Sequence, residues 1–116
     1  MLTSIGKFLR KLRIDEGEIL KDKVTVSFLS AVENGKKRMP SNWNYRICEI
    51  YNLSEEQRKA FTTAIAETED TIDMNFVGQS LQNRELAVSF ARKFSDIDDD
   101  QIKAIKKILL GGKSKQ

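Results

Sequence analysis

Apolar residues in this chain return every three or four positions, and capping residues cut that rhythm into short pieces. The pattern demands helices that bury one stripe against one another. Ile5, Phe8, Leu9 and Leu12 form the first stripe, behind Thr3 or Ser4 as cap and ahead of Gly17 as stop. Ile19 and Leu20 open a second, short apolar segment. Thr25 caps a third helix in which Leu29 and Val32 point inward and Gly35 ends the element. The only proline, Pro40, precedes a fourth helix with Trp43, Ile47 and Ile50 on its buried face. Ser54 and Gln57 have the spacing of a capping box, and Leu53 before them is placed as a hydrophobic staple. Phe61, Ala64 and Ile65 continue the apolar side of that fifth helix.

Beyond it the pattern changes once. From Thr71 to Phe76 apolar and polar residues alternate, which predicts a short strand. Two further helices follow. Leu86, Phe90 and Phe94 line one, with Ala87 and Ala91 alongside. Ile102, Ile105 and Leu109 line the other, from an Asp98/Gln101 capping pair to Gly111-Gly112. A disordered tail is expected over Lys113–Gln116. The expected fold is therefore all-α with one strand. A five-helix unit spans residues 1–67, and an extension over 68–116 holds the strand at 71–76 and two helices.

Composition removes several classes of function. With no histidine and the single cysteine Cys48, neither a zinc site nor imidazole-based catalysis is expected, and an intrachain disulfide is impossible. No Gly-rich phosphate loop and no spaced nucleophile–base pair is present, so the chain does not read as an enzyme, and no cofactor is expected. Asp96, Asp98, Asp99 and Asp100 lack the glycine and terminal glutamate of an EF-hand loop, and they suit a helix N-terminus instead. No apolar run approaches the ~20 residues of a membrane span. The opening MLTSIGKFLRKLR is amphipathic and lacks the continuous apolar core of a signal peptide. A cytoplasmic location is the expectation. The net charge of +3 is unevenly spread. Residues 1–41 carry nine Lys/Arg against five Asp/Glu, and the remainder carries eleven against twelve. A basic first third followed by a near-neutral remainder suits a nucleic-acid face joined to an association region.

The most informative stretch runs from Val24 to Pro40: Val-Thr-Val-Ser-Phe-Leu-Ser-Ala-Val-Glu-Asn-Gly-Lys-Lys-Arg-Met-Pro. A capped short helix with small outward residues stops at Glu-Asn-Gly and is followed by three cations. Such a helix fits a major groove, and the cations behind it can hold phosphates. This stretch resembles the recognition helix and following loop of the lambda-repressor-like, or Xre-type, helix-turn-helix family. The likeness covers about residues 3–66 and is most specific in Ser27–Lys36. It implies that Val26, Ser27 and Ala31 face base edges, with Ser30 beside them. It also implies that Thr25, Asn34, Lys36, Lys37 and Arg38 touch the DNA backbone, while Leu29 and Val32 are core. One departure stands out. The family has a second helix ending in an apolar-Gly turn, whereas here Asp22-Lys23-Val24 runs almost directly into Thr25, about five residues shorter than that pattern.

The resemblance implies a sequence-specific transcriptional regulator that binds operator DNA, as a prophage repressor or as the antitoxin of a toxin–antitoxin operon. In the latter case a cognate toxin is a further partner. The lone strand has no partner in the chain, so pairing with a second copy is expected. The homodimer seam would then use Ile72, Met74, Phe76, Leu86 and Phe90. A rival reading is a protein-interaction module that keeps the helix-turn-helix shape without binding DNA.

Overall fold

The computed structural model describes residues 1–17 and 24–111. The described helices are α1 (Ser4–Glu16), α2 (Val26–Glu33), α3 (Trp43–Ile50), α4 (Glu55–Thr68), α5 (Leu81–Lys93) and α6 (Asp99–Gly111), with a 3-10 turn over Phe94–Asp96. The expected helix around Ile19 and Leu20 and the expected tail lie outside the described residues. The chain forms two compact units, Met1–Met74 and Asn75–Gln116. The first runs past the sequence-based boundary at 67.

In the first unit, local chemistry sets most helix ends. Thr3 Oγ1 accepts from Gly6 N at 3.0 Å and starts α1. Thr25 Oγ1 accepts from Phe28 N at 3.1 Å and starts α2. Ser54 and Gln57 close the capping box at α4, with both bonds present. Asn52 ends α3 in the left-handed region at φ 49°, where asparagine is tolerated better than most residues.

These helices wrap one core. Phe61, Ile5, Leu9, Leu29 and Ile47 are its largest fully buried side chains. The ring of Phe8 stacks on Phe61 with centroids 4.9 Å apart, joining α1 to α4. Phe28 meets the buried Trp43 edge-on at 5.8 Å, joining α2 to α3. Phe28 is thus a packing residue. Cys48 is half-buried beside the core, and its thiol lies 3.6 Å from Asn44 O.

Where α1 crosses α2 the backbones nearly touch. A Cβ on Gly6 would stand 1.9 Å from the carbonyl oxygen of Glu33, so only glycine fits there. Thr3 N donates to that same oxygen at 3.1 Å. Beside this crossing, Arg13 Nε and Nη2 donate to the Glu33 carboxylate at 2.9 and 3.0 Å, a bidentate pair with both side chains largely sheltered. The end of α2 is therefore held at three points against α1.

The expected strand is absent: no strand occurs among the described residues, and Thr71–Phe76 has no regular secondary structure. The physical reason is the lack of a second strand, which leaves a ladder nothing to pair with. Other groups take the segment's polar atoms. Arg38 Nη2 donates to Thr71 O at 2.6 Å, and Asn75 Oδ1 accepts from Val77 N at 2.9 Å as the chain turns.

In the second unit, Ser80 Oγ accepts from Asn83 N at 3.0 Å to start α5. The expected Asp98/Gln101 pair caps α6, with Gln101 N donating to Asp98 Oδ1 at 2.8 Å and Asp98 N to Gln101 Oε1 at 3.1 Å. Arg84 lies 6.0 Å from the Phe76 ring centroid, and Phe90 meets Phe94 at 5.7 Å. No described residue of this unit is buried. Leu81, Leu86, Phe94, Ile108 and Leu109 all stand open to solvent.

Candidate nucleic-acid interface

The sequence of α2 divides its residues between two environments. Leu29 and Val32 are 2% and 3% exposed and belong to the core. Val26, Ser27 and Ser30 are exposed, and Ala31 is half-exposed. The four candidate base-reading residues line a single open concavity with Asn34 and Lys36. This follows from the helical period: positions 26, 27, 30 and 31 share the stripe opposite 29 and 32. Short side chains over most of that stripe let the helix axis approach a partner closely. Val26 and Ala31 supply methyl groups suited to apolar contact, and Ser27 and Ser30 supply hydroxyls that donate or accept.

The candidate backbone-contacting residues divide. Thr25, at the N-terminus of α2, keeps its hydroxyl hydrogen available while its oxygen caps the helix. The free amides of that first turn favour an anion. Asn34 Nδ2 donates to Ser30 O at 3.0 Å, which closes the C-terminal turn and leaves Oδ1 and one N–H open. Gly35 carries the chain away at φ +77°, and a Cβ there would also meet Thr3 Cγ2 at 2.8 Å. Lys36 returns to the open face of α2. Lys37 is exposed and lines a different hollow with Thr3, Thr68 and Glu69.

Arg38, which the resemblance assigns to the DNA backbone, is bound within its own chain in this structure. Its Nε donates to Glu69 Oε1 at 2.6 Å and its Nη2 to Thr71 O at 2.6 Å, while Nη1 lies 3.4 Å from Asp73 Oδ2. The hydrogen bond it donates to Glu69 raises the Arg38 pKa above its ordinary value, and the negative charge of Asp73 adds to this. Three donors of the guanidinium fork are thus committed to acceptors of its own chain. Nothing in the local pattern at Lys36-Lys37-Arg38 announces this, because the acceptors lie over 30 positions away.

Sequence reasoning also passed over Arg13, Glu33 and Gly6, which hold α2 in place. A glutamate just inside a helix stop reads as a surface residue, and only its burial at 5% exposure reveals the pairing.

Of the candidate association residues, Ile72 and Met74 belong to the first unit, and Phe76, Leu86 and Phe90 to the second. Ile72, Met74 and Leu86 are 60%, 66% and 70% exposed. Phe90 is also exposed, and Phe76 is partly covered. Among the described residues no helix is long and apolar enough to cross a membrane, and no acid or cysteine cluster is arranged to hold a metal ion.

No family model, no curated protein and no solved structure matches this chain.

Proposed function

We propose that this protein binds double-stranded operator DNA through α2 and regulates transcription of a nearby operon. The observation that carries the reading is the gathering of Val26, Ser27, Ser30, Ala31, Asn34 and Lys36 on one open face of a helix whose apolar residues face the core. Small side chains read base edges, and Thr25, Lys36 and Lys37 contact phosphates beside them. The protein acts as a binding protein and not as an enzyme, either as a prophage regulator or as an antitoxin with a cognate toxin as partner.

The working form in this reading is a homodimer. Two recognition helices about one helical turn of DNA apart read a palindrome. Leu86 and Phe90 belong to a unit with no buried side chain among its described residues, and helices of this length are marginal in water without a cover. A second copy supplies that cover through the same apolar residues. Thr71–Phe76 forms no strand, so the seam is proposed without a β ladder.

Selection of bound sequences from random duplex DNA tests the reading. Recovery of a two-fold symmetric site, bound with an affinity that falls steeply as salt rises, is the expected result. Failure to enrich any sequence, with no salt-dependent binding, would refute it. That outcome favours the rival interaction module, to which Val26, exposed and apolar at the start of α2, lends specific support.

A further inference from the structure

Arg38 follows two cations next to the candidate DNA face, yet its guanidinium is bound by Glu69, by the Thr71 carbonyl and, at longer range, by Asp73. This is the donor fork that would otherwise grip a phosphate, met by oxygens in the manner of one. The Glu69 side chain is only 13% exposed, so the pair is sheltered on its carboxylate side, whereas the Arg38 side chain is 47% exposed and open to a competing anion. The three acceptors also lie on the segment through which the second unit is attached.

We propose that the Glu69–Asp73 segment is an internal stand-in for DNA phosphate, which withholds Arg38 from the DNA as long as its carboxylates hold the guanidinium. The proposal rests on the DNA-binding reading and names a regulation of that site. Two consequences follow. While the segment holds Arg38, Lys36 and Lys37 carry the sequence-independent affinity, and Arg38 contributes only once released. Because coupling is reciprocal, whatever loosens the segment strengthens DNA binding, and bound DNA lowers the cost of loosening the segment.

The test measures affinity for a random-sequence duplex across a salt series. It compares the wild type, Glu69→Gln/Asp73→Asn, Arg38→Ala and the triple variant, each checked for helicity and thermal unfolding. Removing the two carboxylate charges frees about one phosphate contact. The salt slope should steepen by ~0.9, and binding should tighten about fivefold near 0.15 M salt. Arg38→Ala alone should leave the slope unchanged, and in the triple variant the gain should vanish. An equal gain in the triple variant would show a general charge effect and overturn the proposal. So would a slope that falls with Arg38→Ala alone, or no gain in a wild type that binds. A wild type with no salt-dependent binding instead refutes the DNA reading itself, and the latch falls with it. Glu69→Gln by itself, and the Arg38 Nε–H resonance of the wild type and of that variant titrated with the same duplex, keep the test valid if the double variant unfolds. On the bound wild type the resonance should stay in place and in Glu69→Gln it should move, and an unmoved resonance on bound Glu69→Gln overturns the proposal.

Discussion

Replacing Gly6 by alanine adds one methyl group at the point where α1 and α2 come closest. The added Cβ would lie 1.9 Å from the Glu33 carbonyl oxygen and 2.8 Å from its carbon, both backbone atoms that no rotamer change can move. Relief requires the helices to part by an ångström or more. Overpacking of this kind typically costs about 1–3 kcal/mol. The shift also endangers the 3.1 Å bond from Thr3 N to the same oxygen, worth about 1 kcal/mol. Against these, alanine gains about 1 kcal/mol of helix propensity over glycine. The net expectation is a loss of about 1–3 kcal/mol, a large share of a small domain's stability. Urea unfolding followed by far-ultraviolet circular dichroism measures it. DNA affinity should fall further than stability alone explains, since the displaced carbonyl ends α2. A Gly6→Ala protein as stable as the wild type would show that the close crossing is not a feature of the folded chain. The reasoning about how α2 is held would then fail.

Other substitutions probe the site and its supports. Arg13→Ala leaves the sheltered Glu33 carboxylate without its bidentate partner and should cost about 3–5 kcal/mol, while Arg13→Met/Glu33→Leu recovers most of it; equal losses in single and double variants in a denaturant series would argue against a coupled pair. Ser27→Glu sets a carboxylate against DNA phosphates from an exposed position, so operator binding should vanish in a mobility-shift assay while the melting temperature stays near the wild type's. Lys36→Ala should weaken all DNA sequences alike and shallow the salt slope by about one, and altered specificity at constant slope would make Lys36 a base reader. Phe90→Glu should shift sedimentation from dimer to monomer at tens of micromolar, and a fully dimeric variant would remove α5 from the seam.

Much of the fold was legible because helix ends are local events. Thr3, Thr25, Ser54 and Asp98 each cap through a bond spanning three residues, so the sequence window contains both partners. The polarity of α2 was equally local: a 3.6-residue period puts Leu29 and Val32 opposite Ser27 and Ala31 whatever lies beyond. That period determined which residues form the candidate face. The strand expectation used a rule just as local and failed, because a strand is completed by a neighbour and a helix is not. Alternation over Thr71–Phe76 described a segment able to pair, but it carried no information on whether a partner was at hand.

The sequence by itself determined most of the described helices, the caps at Thr3, Thr25, Ser54 and Asp98, the core stripes of the first unit and the composition of the exposed face of α2. Only the tertiary structure decided how that face is held and which cations stand ready beside it. Arg13 meets Glu33 across 20 positions, Thr3 meets the Glu33 carbonyl across 30, and Arg38 meets Glu69 across 31. A charge's partner is whichever opposite charge the packed helices bring within about 3 Å, and separation along the chain does not encode that distance.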